Sequence, residues 1–200
     1  EPVRDEPGEL VVTRPMPSMP VGFWNDPDGS RYRAAYFEER PGIWTHGDWI
    51  SIADDGSSVI SGRSDATLNR GGVRLGTAEL YSLVEDRAEV EDSLVVHLED
   101  PAGGPGELIL FVVPGPGHEL TDDDIALLKA DIRADLSPRH VPDEVHVVGG
   151  IPRTRSGKKI EVPVKRILLG AATSDVVGPD ALTDASLLAP FEDLARRRGT

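Results

Sequence analysis

The stretch TDDDIALLKADIRADLSP, residues 121–138, decides the fold of the second half of the chain. Thr121 is a typical N-cap residue, and the three aspartates after it suit the positive end of a helix dipole. Ser137-Pro138 ends the pattern. Between these limits apolar side chains recur at helical spacing, at Ile125, Leu128, Ile132 and Leu136. The stretch therefore predicts a helix whose apolar stripe faces a small sheet.

Strand and helix patterns on both sides of this stretch complete the architecture. Thr77 is predicted to cap an earlier helix, Pro163 and Gly170 to bracket a later one, and Pro190 to start a terminal one. Strands are predicted at residues 93–98, 108–113 and 145–148. The predicted fold class is α+β, a few-stranded sheet flanked by helices.

The first part of the chain is predicted to be β-rich. It carries a strand at Leu10–Val12, a turn-rich run at residues 25–30, and a hairpin turn at Asp54-Asp55-Gly56. A division near Asp65 separates this part, residues 1–64, from the mixed part.

The mixed part, residues 65–200, ends in a tail that is rich in Ser, Thr, Asp and Gly from about residue 171. Strands without their neighbours expose hydrogen-bonding edges and lose apolar contacts. We therefore expect residues 1–64 to be partly disordered in isolation.

Composition excludes several classes of function. A net charge of −14 argues against a general nucleic-acid binder. The absence of cysteine removes disulfides and thiolate chemistry, and the five histidines show no metal-binding spacing, so no metal site is expected. No apolar run is long enough for a membrane span, and the acidic first residues do not resemble an export signal. A cytoplasmic protein without nucleic-acid or membrane partners is expected.

Positive charge is concentrated in one short window. Three of the four lysines fall together with three arginines, and we call this set the basic island: Arg153, Arg155, Lys158, Lys159, Lys165 and Arg166. The island could hold an anionic small molecule through short-range contacts, because screening weakens the distant negative charges. The alternative is a solvated basic loop.

Two motifs offer groups for such a ligand. Lys158 follows Ser156-Gly157, a flexible lead-in from which a lysine can reach a carboxylate or phosphate. Asp48 could accept hydrogen bonds from vicinal hydroxyls such as those of a ribose, and Arg63 could donate to the same ribose. The alternatives are an aspartate in an ordinary turn and an exposed surface arginine.

The boundary between the two parts carries further candidates. Asp65 could serve as a hinge, or simply be a linker residue. Gly71-Gly72 would permit close backbone approach to a ligand, although a plain turn is favoured by sequence alone. For Arg74, too, the sequence alone does not decide between contact with a ligand and a place in an ordinary turn.

Three motifs, residues 44–48, 62–74 and 153–159, occur in an order and spacing that resemble the C-terminal third of adenylate-forming enzymes. This superfamily includes acyl-CoA synthetases, peptide-synthetase adenylation domains and luciferases. The stretches most similar to acetoacetyl-CoA synthetases are residues 23–30, 41–49 and 157–165. Acetyl-CoA synthetases usually carry a basic run where this chain has Ile160-Glu161-Val162, so an acetyl- or other short-chain acyl-CoA synthetase is the alternative.

The resemblance implies a two-step ligase reaction of lipid metabolism. Acetoacetate attacks the α-phosphate of ATP to give an acyl-adenylate and pyrophosphate, and the thiol of CoA then displaces AMP. Lys158 matches the adenylation lysine of the family, Asp48 and Arg63 match the ribose-binding residues, and Asp65 matches the hinge. Domain alternation about that hinge would replace Lys158 with a face that carries Gly72.

The same resemblance implies the binding partners. Gly72 and Arg74 would line the CoA tunnel, and Arg133 falls where a CoA phosphate is contacted. The substrates are acetoacetate, CoA and Mg-ATP, whose magnesium this part of the chain does not hold, and no prosthetic group is implied. Residues 1–64 would be the end of a large N-terminal domain that is otherwise missing, so this chain is expected to be inactive alone.

Two other hypotheses use the same lysine. A protein lysine acetyltransferase could modify Lys158, with a deacetylase to reverse it, because acetylation would remove the charge needed for adenylation. Alternatively, the chain could be a binding module for an anionic ligand such as CoA or AMP, without chemistry.

Overall fold

The structure is a computed structural model that describes residues 2–64, 68–70, 73–178 and 180–199. It does not describe the side chains of Ser61, Arg63, Asn69, Val73 and Arg74. The chain forms two compact units, Glu1–Asp65 and Ala66–Thr200. Both strands and helices are present in each, which confirms the α+β class. The assignment of residues 1–64 to a larger N-terminal domain stays a prediction.

The first unit is built on a three-stranded antiparallel sheet. Its strands are β1 (Gly8–Val12), β2 (Trp44–Ile52) and β3 (Ser58–Arg63), with β2 in the centre. The predicted hairpin joins β2 to β3, and Gly56 adopts a φ of 86° in its turn. Such a left-handed conformation favours glycine.

Helix α1 (Ser30–Phe37) was not predicted, because its sequence has no apolar stripe. The carboxylate of Asp26, in the turn-rich run before it, accepts a hydrogen bond from the backbone N–H of Tyr32 at 2.9 Å. Aromatic side chains then hold the helix on β2: Tyr36 stacks on the buried indole of Trp44 with ring centroids 3.7 Å apart. Aromatic packing therefore replaces an aliphatic face here.

The second unit contains a hairpin, a three-stranded sheet and several helices. In chain order these are β4 (Leu68–Arg70), β5 (Val73–Leu75), α2 (Thr77–Glu85), β6 (Val90–Leu98), β7 (Glu107–Pro114), α3 (Asp122–Asp135), β8 (Glu144–Val147), α4 (Glu161–Leu168), α5 (Thr173–Val176), a 3₁₀ turn (Ala185–Leu188) and α6 (Ala189–Arg197). In the sheet, β7 lies between antiparallel β6 and parallel β8.

Both faces of β7 are buried, which explains its continuous apolar run. Alternate residues point to opposite faces. Leu108, Leu110 and Val112 pack in one cluster with residues of α2 and α3. Ile109 and Phe111 pack in the other cluster with residues of α4 and α6. The apolar stripe of α3 does face the sheet, as predicted.

Local capping predictions had mixed outcomes. Thr121 caps α3 in a reciprocal capping box, in which its backbone N–H donates to the Asp124 carboxylate at 2.8 Å. The Thr77 prediction was wrong: the N-cap is Gly76, in extended conformation, and Thr77 is the first helical residue and is buried. Pro163 lies in the first turn of α4, as predicted. No helix within the described ranges is both long and apolar enough to cross a membrane.

Candidate functional site

Lys158 lies at the end of a tight turn that is hydrogen-bonded within itself. The backbone N–H of Thr154 donates to the carbonyl of Lys158 at 2.8 Å, and the N–H of Lys158 donates to the hydroxyl of Thr154 at 3.0 Å. Gly157 has a φ of 81°, and Arg153 pairs with Lys159 as an isolated antiparallel bridge. The predicted flexible lead-in is therefore a closed turn.

The two adjacent lysines of this turn have opposite environments. Lys158 is exposed, and among the described residues no carboxylate forms an ion pair with it. The side chain of Lys159 is 13% exposed. Its ammonium contacts Glu85, lies 3.2 Å from Asp92, and sits 3.8 Å above the ring centroid of Tyr81. Lys159 is thus a structural cation, whereas Lys158 is free to meet a ligand.

Most of the basic island is neutralised by nearby carboxylates. The guanidinium of Arg153 binds both oxygens of Asp92 at 2.8 Å, and Lys165 contacts Glu99. The positive charge of the island that is available to an anionic ligand is therefore smaller than the sequence suggests, and anion binding by the island stays a prediction. Within the part of the chain that the structure describes, Lys158 and Arg166 are the members of the island without an acidic partner.

A buried polar network supports the turn from α2 and β6. Glu85 accepts hydrogen bonds from the backbone N–H and the hydroxyl of Ser93, at 3.1 and 2.6 Å. The hydroxyl of Tyr81 lies 3.0 Å from the Glu161 carboxylate. Burial, followed by the negative charge of Glu161, raises the pKa of Tyr81 well above its ordinary value of 10.0, so that this hydroxyl stays a donor.

Asp48 and Arg63 occupy facing positions on neighbouring strands. Their Cα atoms are paired in the register of β2 and β3. The Asp48 side chain is 13% exposed, and one of its oxygens lies 2.5 Å from Nδ1 of His46. The side chain of Arg63 lies outside what the structure describes. The backbone thus brings together the two positions predicted to bind one ribose. Asp65, the predicted hinge, lies outside the described residues, at the boundary between the two units.

The predicted CoA-binding positions lie in the second unit. Gly72 lies outside the described residues, and the backbone of Arg74 pairs with Asn69 in the β4–β5 hairpin. Arg70 of this hairpin donates to the carbonyl of Val141 at 2.6 Å, in the loop after α3. Arg133 is exposed in the last turn of α3.

One contact at the turn was not predicted. Residues 181–183, which belong to the polar tail, run antiparallel to residues 153–155, and Leu182 pairs with Thr154. An isolated apolar residue in a polar run was the only available clue. As for metals, the described ranges hold no group of three or more His, Asp or Glu residues that could bind one.

The chain is similar to known proteins over nearly its whole length. Residues 82–158 match the family described as AMP-binding enzyme C-terminal domain. An acetoacetyl-coenzyme A synthetase of Rhizobium meliloti (strain 1021) is 47% identical over 199 residues, which are 97% of this chain and 30% of the relative. An acetoacetyl-CoA synthetase of Caenorhabditis elegans is 47% identical over 182 residues, 89% of this chain and 26% of the relative.

The fold has the same likeness. A solved structure of an acetoacetyl-CoA synthetase from Streptomyces lividans superposes with a TM-score of 0.89 and 52% identity, covering 99% of this chain and 29% of that one. The chain thus spans about 30% of the length of its first curated relative. The motifs, the fold and these likenesses together show that the chain belongs to the adenylate-forming enzymes and carries their AMP-binding C-terminal domain.

Proposed function

We propose that the chain is the C-terminal part of an acetoacetyl-CoA synthetase, a ligase that adenylates acetoacetate with ATP and transfers the acyl group to CoA. The observation that carries the proposal is the exposed Lys158 on a closed turn, which pairs with no carboxylate of the described residues, within a chain that is 47% identical to enzymes of that name. Lys158 is the residue to which we assign the first step.

In that step a carboxylate oxygen of acetoacetate forms a bond to the α-phosphorus as the bond from phosphorus to pyrophosphate breaks. Negative charge accumulates on the oxygens between the two reactants. The ammonium of Lys158 would bridge the carboxylate and phosphate oxygens and stabilise that charge. Because Lys158 has no acidic partner among the described residues, no local ion pair has to be broken first.

The nucleotide would be held through its ribose by Asp48 and Arg63. The carboxylate of Asp48 can accept hydrogen bonds from the hydroxyls, and the register of β2 and β3 gives Arg63 a position next to it. Asp65 would be the hinge about which the C-terminal domain rotates between the two steps.

In the second step the sulfur of CoA attacks the acyl carbonyl, and AMP leaves with the electrons of the bond that breaks. Gly72 and Arg74 would line the tunnel for CoA, and Arg133 would contact one of its phosphates. Arg70 connects the hairpin that carries Arg74 to the loop after α3 by donating to the carbonyl of Val141. Mg-ATP and acetoacetate would be bound mainly by the N-terminal domain, so the chain alone is inactive. ATP and CoA are available in the cytoplasm, where we place the reaction.

The other hypotheses have less support. The relatives reported above are named for acetoacetyl-CoA, which does not favour an acetyl- or other short-chain acyl-CoA synthetase. Acetylation of Lys158 requires the exposure that is observed, but no comparison supports it, and it stays a prediction.

The test is to measure the two half-reactions separately in the full-length protein. Pyrophosphate exchange reports adenylation of acetoacetate, acetate and longer acids, and thioester formation is measured from supplied acyl-adenylate. We expect Lys158→Ala and the acetyl-lysine mimic Lys158→Gln to lose adenylation on the order of 10²-fold or more and to keep thioester formation.

Arg166→Gln is the matched control, because Arg166 is also exposed and lacks an acidic partner among the described residues. It should leave both half-reactions unchanged. Adenylation that survives in Lys158→Ala would refute the assignment, and a preference for acetate would refute the proposed substrate.

A further inference from the structure

The turn that carries Lys158 is held from two sides. From α2 and β6, Asp92 binds the guanidinium of Arg153, while Glu85 and Asp92 hold the ammonium of Lys159. Arg153 also donates from Nη1 to the carbonyl of Gly157 at 2.8 Å. These contacts fix the two ends of the turn, on either side of Lys158.

The second side is formed by residues 181–183 of the C-terminal tail. The backbone N–H of Arg155 donates to the carbonyl of Ala181 at 3.1 Å, and the N–H of Thr183 donates to the carbonyl of Arg153 at 3.0 Å. The Thr183 hydroxyl adds a longer bond to the same carbonyl, at 3.3 Å. Residues 181–183 therefore pair with residues 153–155, which form the first side of the turn, and add a short third strand that is antiparallel to them.

This third strand is itself anchored in the protein. Leu182 is 7% exposed and belongs to the same buried cluster as Ile160, directly after the turn, and Phe191 of α6. Asp184 then caps the following 3₁₀ turn by accepting a hydrogen bond from the N–H of Ser186 at 2.9 Å. The buried side chain of Leu182 and the capped 3₁₀ turn that follows limit how far residues 181–183 can move.

We infer that residues 181–183 are a positioning element for Lys158, which sets the direction of the turn during adenylation and takes no part in thioester formation. The inference rests on the proposed function of Lys158. Thr183 is the positioning residue that can be tested most directly, because its N–H is the donor on one side of the pairing. Misplacement of a catalytic group by about 1 Å can cost on the order of 10²-fold in rate.

The test uses the full-length protein with two variants at one position. Thr183→Pro removes the N–H donor, and the preceding residue, Leu182, pairs in extended fashion, which a following proline tolerates. Thr183→Val keeps the N–H and loses only the hydroxyl. We expect Thr183→Pro to lower adenylation at least about tenfold and leave thioester formation from acyl-adenylate unchanged. Thr183→Val should resemble the wild type in both.

Amide hydrogen exchange gives a readout that a general loss of stability would not reproduce. In Thr183→Pro the amides of Gly157 and Lys158 should exchange faster, while those of β7 keep their protection. Adenylation equal to the wild type would overturn the inference, and so would an equal loss of both half-reactions together with lower protection of β7. An equal effect of Thr183→Val would also overturn it, because the hydroxyl and not the strand pairing would then be responsible.

A measurement on the wild type alone covers the case in which Thr183→Pro does not fold. The amides of Arg155 and Thr183 should be protected, although the Arg155 side chain is 71% exposed. Exchange at the rate of an unstructured peptide would overturn the inference. If Lys158→Ala retains adenylation, the proposed function fails, whereas loss in Lys158→Ala with full activity in Thr183→Pro refutes only the positioning role.

Discussion

Replacing Lys159 with methionine should destabilise the second unit, whereas the same change at Lys158 should not. Methionine is about as long as lysine and carries no charge, so the comparison isolates the ammonium. Lys159 lies between two carboxylates and over an aromatic ring, with a side chain that is 13% exposed. Lys158 is exposed and has no acidic partner among the described residues.

The magnitude follows from what each carboxylate retains. Removing one partner of a buried ion pair costs about 3–5 kcal/mol. Here Glu85 is 32% exposed and keeps its two hydrogen bonds from Ser93, and Asp92 keeps its bonds from Arg153. These retained contacts reduce the expected cost for Lys159→Met to about 2 kcal/mol. For a unit of this size the melting temperature should fall by roughly 8 °C. Lys158→Met should stay within about 0.5 kcal/mol of the wild type.

The assay is urea and thermal unfolding followed by far-UV circular dichroism, which reports both units. Tryptophan fluorescence serves as the internal control, because all three tryptophans, Trp24, Trp44 and Trp49, lie in residues 1–64. The fluorescence transition should therefore be the same in both variants. Equal stability of Lys159→Met and Lys158→Met would refute the reasoning, since it would mean that the network around Lys159 contributes nothing to folding.

Two further predictions concern the separate units and the C-terminal helix. We expect urea to unfold the first unit before the second, so that the fluorescence midpoint precedes that of circular dichroism; coincident transitions would contradict the predicted low stability of residues 1–64. The pKa of Glu144 is raised by burial but lowered more by the hydrogen bond with His146 and the charge of Arg198, and it lies below its ordinary value of 4.5. A group whose pKa is lowered on folding stabilises the folded protein at pH values above its unfolded-state pKa. This stabilisation is lost as the pH falls through the folded-state pKa. Arg198→Gln should therefore destabilise at pH 7, by an amount that shrinks below pH 4.5, and a difference independent of pH would contradict this.

Elements whose determinants are local could be predicted from the sequence. The cap, the acidic first turn and the apolar stripe of α3 all lie within one short stretch, and its limits were predicted within a residue or two. The buried strand β7 was predicted by its apolar run. Helix α1 was missed because the residue that holds it, Trp44, lies outside it in β2, and contacts of that kind leave no periodic pattern.

The environment of the candidate site also depends on contacts between residues that are distant in sequence. Motifs identified Lys158 as a candidate, but the sequence could not distinguish its environment from that of Lys159. The difference depends on Glu85 and Asp92, which are distant in sequence and come from α2 and β6. The pairing of Leu182 with Thr154 could not be predicted either, because both residues lie in segments without a strand pattern.

The distribution of carboxylates around the turn suits a lysine that must change its surroundings in every catalytic cycle. In the proposed reaction, Lys158 approaches the phosphate for adenylation and returns to water when the domain rotates. An ion pair with Asp92, like that of Lys159, would have to break in each cycle and would compete with the ligand for the ammonium. Because Arg153 and Lys159 occupy the carboxylates of Asp92 and Glu85, these groups stabilise the turn without attracting Lys158. An additional carboxylate close to Lys158 should therefore weaken adenylation even if it stabilised the fold.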